Sequence, residues 1–152
     1  MRLALFEPDI PQNLGAFIRL AACLGVPLDV IEPCGFPVDD KRIRRAAMDY
    51  YDQAAIARHA SWNAFQRDRK PGRLVLLTTA AAERFPEVTF RPDDTLLLGR
   101  ESAGVPPEVH AAAALRLRIP LQKSVRSLNV ATAAAMVLGE ALRQTNGYAA
   151  LT

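Results

Sequence analysis

A strand end, a polar loop and an apolar helix follow one another in Ile119-Pro-Leu-Gln-Lys-Ser-Val-Arg-Ser-Leu-Asn-Val-Ala-Thr-Ala-Ala-Ala-Met-Val137. Pro120 has no N–H to donate to a strand ladder, so the strand predicted at 115–119 ends there. Ser127 and Asn129 offer side-chain oxygens that cap helices, and the alanine-rich run behind them favours a helix. Because helix N-termini at the carboxyl ends of strands present unpaired N–H groups, this loop is a candidate ligand site.

The composition is that of one globular domain. The chain has 152 residues, of which 50% are apolar and 23% charged, and a chain of this length buries roughly 70% of its extended surface. No run approaches the roughly 18 apolar residues that a membrane helix needs. Met1 leads directly into a strand-like run, without the basic and apolar segments of a secretory signal. We therefore expect a cytoplasmic protein with a single domain over residues 1–152.

Cysteine and histidine are too few and too scattered for a metal site. Cys23 and Cys34 form no paired motif, and only His59 and His110 stand beside them. We expect no metal cofactor and interpret both thiols as reduced packing residues. The net charge of +3 permits a nucleic-acid partner but does not by itself argue for one.

Strand and helix patterns alternate along the chain. Strands are predicted at 3–6, 28–31, 74–78, 96–98 and 115–119. Helices are predicted at 11–24, across 39–65, after Pro106 and at the end of the chain to about Gln144. This alternation predicts an α/β fold, with a mainly parallel sheet covered by helices on both faces. No repeat or flexible linker divides the domain.

The helix at 11–24 has clear start and stop signals. Pro11 suits its first turn, and Gly25 ends it. Its apolar residues recur at i, i+3, i+4 and i+7, which predicts one face in the core. Arg19 follows Gly15 by one turn, so a partner could approach closely there. The alternative is an incidental glycine beside a surface arginine.

The last helix is apolar on most sides. The run from Leu128 to Leu138 leaves little polar face, so the helix needs cover beyond the sheet. We expect one side to lie on the sheet and the other to pack against a second copy of the chain, with Gly139 permitting close approach. Burial within this one domain is the alternative.

The glycines exclude the common nucleotide motifs. No two are separated by a single residue, which rules out G-x-G-x-x-G, and the segment from Gly99 to Gly104 is not followed by Lys and Ser or Thr as in a P-loop. This segment still follows a predicted strand, which places Arg100 and Glu101 at the same sheet edge as the 119–127 loop. Two loops therefore converge, although a purely structural turn would also explain the glycines.

A cluster of positive charge lies in the predicted helical region. Lys41, Arg42, Arg44 and Arg45 place four cations in five residues, which could pair with the phosphates of a nucleic acid. The alternative is a solvated helical face balanced by nearby acids. The acids concerned are Asp39, Asp40, Asp49 and Asp52. Four aromatic residues nearby could stack on bases, although some belong more naturally in the core: Tyr50, Tyr51, Trp62 and Phe65.

Three separated motifs together resemble one family. They are Asn13-Leu-Gly-Ala-Phe-Ile-Arg19, Leu98-Gly-Arg-Glu-Ser-Ala-Gly-Val-Pro106 and the stretch from Ile119 through Ser127-Leu-Asn129. This pattern resembles the SPOUT superfamily of RNA 2′-O-methyltransferases, and within it the short subgroup that methylates cytidine 34 or uridine 34, the wobble nucleotide of leucine tRNAs. The resemblance covers nearly the whole chain and implies that no RNA-binding domain is added.

The resemblance implies a fold and a set of partners. It implies a deep trefoil knot in the C-terminal part and a homodimer. It also implies that S-adenosylmethionine is the methyl donor, that S-adenosylhomocysteine is the product, and that no metal is needed. The anticodon loop of leucine tRNAs would be the substrate. On the matching positions, it implies that the cofactor contacts Leu77, Thr78, Gly99, Glu101, Ile119, Pro120, Leu121, Ser127, Leu128 and Asn129.

The resemblance also implies that Arg19 is the catalytic residue, reaching across the dimer, with Asn13 in support. A guanidinium with a pKa above about 12 is a poor proton acceptor. We therefore interpret Arg19 as orienting the phosphate and stabilising negative charge on the 2′ oxygen. The RNA-binding residues would be Lys41, Arg42, Arg44, Arg45 and Arg126.

One position departs from the subgroup. A proline often follows the glycine where this chain has Arg100, and Gly-Arg-Glu is found in other branches. Another tRNA or rRNA site therefore stays open as the substrate. The basic cluster that begins at Lys41 supports a further alternative, namely a noncatalytic RNA-binding protein of the same fold.

Overall fold

The computed structural model describes residues 1–151, in which seven strands and five α-helices alternate. The strands are β1 (Arg2–Phe6), β2 (Leu28–Ile31), β3 (Ile56–His59), β4 (Leu74–Leu77), β5 (Glu83–Arg84), β6 (Thr95–Leu98) and β7 (Leu115–Arg118). The helices are α1 (Pro11–Leu24), α2 (Asp40–Ala47), α3 (Trp62–Asp68), α4 (Pro107–Ala112) and α5 (Val130–Gln144). Short 3-10 helices lie at Met48–Gln53, Phe85–Glu87 and Gly147–Ala150.

All seven strands join one sheet, in the order β3-β2-β1-β6-β4-β7-β5, and every pair is parallel. Successive side chains of a strand point to opposite faces. Leu3 and Leu5 of β1 accordingly pack with α1, α2 and α5, whereas Ala4 and Phe6 pack with α3 and α4. The predicted α/β class, with a parallel sheet covered on both faces, is confirmed.

Helix α1 has the predicted bounds because its end signals are local. Pro11 occupies the first turn, and Gly25 follows the last turn with φ of 62°, in the left-handed region that favours glycine. A Cβ at Gly15 would lie 2.5 Å from the backbone oxygen of Ala46. The close partner expected beside Arg19 is therefore the end of α2 in the same chain.

The helical region predicted across 39–65 is wrong in its second half. Helix α2 passes into the 3-10 helix, and the chain then forms β3 and begins α3. Strand β3 has four residues at the edge of the sheet and carries Arg58 on an exposed position, so it has little apolar pattern. The two-residue strand β5 was missed for the same reason. Tertiary pairing decides such short segments, and local propensity does not.

The two thiols differ in their surroundings. Cys23 is exposed on α1, so its interpretation as a packing residue is wrong. Cys34 is half-buried, and burial raises the pKa of its thiol to about 11.

Between residues 1 and 151, no helix is both long and apolar enough to span a bilayer. Of the predicted single domain at 1–152, Thr152 lies outside the described residues.

Candidate functional site

A cavity of about 520 Å³ opens where the neighbouring strands β6, β4 and β7 end. Its floor is formed by the last residues of these strands, including Leu77, Leu98 and Leu117, and one wall is the start of α5. Small-molecule pockets commonly have volumes of roughly 300–1,000 Å³. The carboxyl ends of parallel strands are also where α/β sheets bind ligands. The two loops that the sequence predicted to converge do so here.

Most of the residues predicted to contact the cofactor line this cavity. Those that do are Leu77, Thr78, Gly99, Glu101, Ile119, Leu121, Ser127, Leu128 and Asn129. Pro120 is exposed and is not a lining residue, although Ile119 and Leu121 on either side of it are. The prediction therefore does not hold for the side chain of Pro120. The prediction did not include Ile10, Val105 and Ala133, which also line the cavity.

One chain of hydrogen bonds joins the three sequence motifs at the cavity. Asn13 Nδ2 donates to Glu101 Oε1 at 2.8 Å, and Asn129 Nδ2 donates to Asn13 Oδ1 at 2.9 Å. Asn129 Oδ1 accepts from the backbone N–H groups of Ala131 and Thr132, so Asn129 caps α5. The predicted capping role is confirmed for Asn129 and wrong for Ser127. The amide of Asn13 thus holds both loops relative to α1.

Asp9 is a member of this network that sequence reasoning missed. Its backbone N–H donates to Glu101 Oε2 at 3.1 Å, and the Glu101 N–H donates to Asp9 Oδ1 at 3.1 Å. The Ser102 hydroxyl donates to the other oxygen of Asp9. Burial raises the pKa of Glu101 above its usual value, and neighbouring Asp9 adds to the rise. The sequence signal that could have identified Asp9 was an acidic residue in the loop after β1, which ends at the same edge of the sheet as β6.

The loop after β6 is closed on itself. Arg100 and Gly104 exchange backbone hydrogen bonds of 3.0 and 2.9 Å, and a Cβ at Gly99 would lie 2.5 Å from the carbonyl carbon of Gly104. Gly99 is therefore required by the turn itself. The Arg100 guanidinium forms an ion pair with Glu7, which neutralises it within the protein.

The charge left at the cavity is negative. Among its described lining residues, the ionisable ones are Arg100 and Glu101, and Arg100 is paired with Glu7. The other walls are mainly apolar side chains and backbone. This combination suits a ligand with an apolar ring and a positive charge. Within the described part of the chain, no group of three or more His, Cys, Asp or Glu side chains is placed to hold a metal ion.

Arg19 does not line the cavity that Asn13 lines. The two residues lie six positions apart on α1, which corresponds to about 9 Å along the axis and about 120° around it. Arg19 is exposed, and its guanidinium carbon lies 4.9 Å from the centroid of the Tyr50 ring. The structure therefore brings Asn13, but not Arg19, to the cavity of its own chain.

The predicted RNA-binding cations are all exposed. Lys41, Arg42, Arg44 and Arg45, here called the α2 basic face, project from one short helix, and Arg126 lies in the loop before α5. Arg44 pairs with Asp52 at 2.7 Å and lies 4.4 Å from the Tyr51 ring. Asp39 is used as the N-cap of α2, and the side chain of Asp40 lies outside the described part.

Of the aromatic candidates, Phe65 is fully buried and Trp62 packs against it.

Helix α5 presents two different sides. Ala134, Val137 and Leu138 are fully buried, so one side is covered within the chain as predicted. Met136 is 44% exposed, and Leu128 and Val125 in the preceding loop are 38% and 54% exposed. Packing of the other side against a second copy of the chain stays a prediction.

Comparisons with known proteins extend over nearly the whole chain. The model of the SpoU rRNA methylase family matches residues 1–139. A tRNA (cytidine(34)-2′-O)-methyltransferase of Beijerinckia indica is 60% identical over 149 residues, which cover 97% of this chain and 93% of the relative. A solved structure, from work on the 2-OH methylation of C/U34 on tRNA, is 39% identical with a TM-score of 0.89 over 96% of both chains. An AdoMet-bound rRNA methyltransferase from Sinorhizobium meliloti is 29% identical with a TM-score of 0.83, over 93% of this chain and 55% of that one.

Proposed function

The chain belongs to the SpoU rRNA methylase family, and from that premise we propose that it uses S-adenosylmethionine to methylate the 2′ oxygen of nucleotide 34, a cytidine or modified uridine, in leucine tRNAs. The single observation that supports this best is the hydrogen-bonded chain from Glu101 through Asn13 to Asn129, which joins the three motifs at one cavity. The 60% identity to a relative named for cytidine 34 supports the position on the tRNA.

The cavity fits the proposed cofactor by the chemistry of its walls. Leu77, Ile119 and Leu121 offer apolar surface for an adenine ring. The Glu101 carboxylate offers a negative charge for a positively charged sulfur or amino group, and its bonds with Asn13 and Asp9 fix its position. When bound, S-adenosylmethionine would supply an electrophilic methyl group to the ribose oxygen.

We assign the chemistry at the acceptor to Arg19, with Asn13 in support. A guanidinium stays protonated, so it can hold the adjacent phosphate and stabilise negative charge as the 2′ hydroxyl loses its proton. Holding the acceptor in line with the methyl donor is a large part of such a displacement. Asn13 supports this site through Glu101 and Asn129, because both ends of its amide are already used.

A homodimer would resolve the separation between Arg19 and the cavity. Since Arg19 lies outside the cavity of its own chain, we propose that it acts at the cavity of a second copy. Met136 on α5 and Val125 in the loop before it are exposed apolar side chains that such a contact could cover. We also propose that residues 1–152 form a single domain whose C-terminal part is threaded as a deep trefoil knot.

The α2 basic face and Arg126 would hold the anticodon loop by its phosphates. Four exposed cations on a helix of eight residues produce a compact positive surface, and phosphate neutralisation is the main source of affinity for nucleic acids. We place the reaction in the cytoplasm, where the tRNA substrate is present.

Mapping of 2′-O-methyl groups in total tRNA tests the proposal in cells. Cells that lack the gene should lose the methyl group at nucleotide 34 of leucine tRNAs, and a plasmid copy should restore it. A copy carrying Arg19→Ala, expressed at the same level, should not. Loss of a methyl group in rRNA, with tRNA unchanged, would instead favour the alternative substrate.

A further inference from the structure

The side chain of Arg19 is exposed but has an intramolecular contact, because an aromatic ring lies beneath its guanidinium. The guanidinium carbon is 4.9 Å from the centroid of Tyr50, within the distance at which a cation and a ring attract each other. Tyr50 is half-buried and belongs to the 3-10 helix at Met48–Gln53, which packs against α1. The ring is therefore partly covered by neighbouring elements, whereas Arg19 is exposed.

The position of Tyr50 is determined by two features of the backbone. Gly15 allows Ala46 to approach α1 so closely that a Cβ would lie 2.5 Å from the Ala46 oxygen. Met48 then turns the chain from α2 into the 3-10 helix with φ of 56°, in the left-handed region that a methionine rarely adopts. Such strain persists only where the surrounding structure requires it, and it is concentrated at functional sites.

The geometry points to Tyr50 as a positioning residue for Arg19, and this inference rests on the proposed function. An arginine on the surface spreads over many rotamers, and each productive orientation then has a small population. A ring beneath the guanidinium restricts the side chain before the RNA arrives. Tyr50 would therefore act on the rate of methyl transfer through Arg19, without contacting the cofactor or the reacting atoms.

The next residue offers a matched control. Tyr51 lies in the same 3-10 helix, and Arg44 of the α2 basic face lies 4.4 Å from its ring. Two adjacent tyrosines thus contact two arginines to which different roles are assigned, one in catalysis and one in RNA binding. Equivalent substitutions at the two positions should affect different kinetic constants.

Kinetics with leucine tRNA test the inference. Tyr50→Leu removes the ring and should lower kcat about 2- to 5-fold, the range expected for a cation–ring contact at an exposed arginine. The KM for tRNA and the affinity for S-adenosylmethionine should change little. Tyr50→Phe keeps the ring and should restore kcat to near the wild-type value. Tyr51→Leu should raise the KM for tRNA more than it lowers kcat. A Tyr50→Leu enzyme with wild-type kcat, or a Tyr50→Phe enzyme as slow as Tyr50→Leu, would overturn the inference.

A second measurement does not depend on activity or on the folding of a variant. In the wild-type protein, the Tyr50 ring should shift the side-chain proton resonances of Arg19 upfield. Arg42 is the reference, because among the described residues it has no contact of this kind with an aromatic ring. Normal Arg19 shifts would overturn the inference by themselves. Absence of methyl transfer by a wild-type protein with shifted Arg19 resonances would contradict the proposed function and leave the contact with Tyr50 intact.

Discussion

Asn13 and Glu101 lie 88 positions apart in the chain and are joined by a hydrogen bond of 2.8 Å, in which Asn13 Nδ2 donates to Glu101 Oε1. The other end of the same amide accepts from Asn129 at 2.9 Å. An amide carries its donor and its acceptor on two different atoms, so Asn13 can bond to Glu101 and Asn129 at the same time.

Asn13→Ala should therefore weaken both the fold and the cofactor site. It removes two hydrogen bonds, one of them to a charged group, and should lower the free energy of unfolding by about 1–3 kcal/mol. The affinity for S-adenosylmethionine should fall with it, because Glu101 and Asn129 lose their common partner. Urea unfolding and calorimetry measure the two effects. Asn63→Ala, at an exposed position of α3, is the control, and equal losses in both variants would contradict the role of Asn13.

The pH dependence of cofactor binding should report on Glu101. Burial raises the pKa of this carboxyl group, so it loses its negative charge at a higher pH than an ordinary glutamate when the pH is lowered. The affinity for the positively charged S-adenosylmethionine should then fall relative to that for S-adenosylhomocysteine, whose sulfur is neutral. Calorimetry with both compounds over a pH series gives this ratio. In Glu101→Gln the ratio should not change with pH, and a constant ratio in the wild type would argue against contact between Glu101 and the cationic group.

Arg19→Ala should separate turnover from cofactor binding. Arg19 lies outside the cavity, so the affinity for S-adenosylmethionine should stay within about twofold of the wild type, whereas the loss of a group that stabilises developing charge should lower kcat by about 100-fold or more. Arg19→Lys keeps the charge without the planar fork and should recover only part of the rate. A parallel loss of cofactor affinity and rate would show that Arg19 supports the fold instead.

The α2 basic face should determine the salt dependence of tRNA binding. Replacing its four cations by alanine should weaken binding and reduce the slope of log K against log salt by about 0.7–0.9 for each phosphate that the variant no longer neutralises. A charge-matched control replaces four exposed cations elsewhere, namely Arg67, Lys70, Arg84 and Arg91. If both variants show the same slope as the wild type, the tRNA does not contact α2.

Local signals account for the parts of the fold that the sequence predicted well. Pro11 and Gly25 mark the two ends of α1 through their own backbone preferences, and Asn129 caps α5 through its own side chain. The run of apolar residues in β6 is long enough to indicate a buried strand. The convergence of two loops followed from the rule that parallel strands end at one edge.

Contacts between distant elements account for what was missed. Strand β3 exists because it pairs with β2, and Asp9 joins the site because the loop after β1 meets the loop after β6. The ring of Tyr50 reaches Arg19 only when α2 packs on α1 through Gly15. None of these pairs is close in sequence, and the members carry no pattern that would identify their partners.

Transfer of a labelled methyl group to synthetic leucine tRNA measures the proposed reaction itself. The purified protein, shown to bind S-adenosylmethionine, is incubated with labelled cofactor and two transcripts that differ only in the presence of the 2′ hydroxyl at nucleotide 34. Label should enter the first transcript at the ribose of nucleotide 34 and should not enter the second. Label at another nucleotide, equal labelling of both transcripts, or no transfer by protein that binds the cofactor and the tRNA would contradict it.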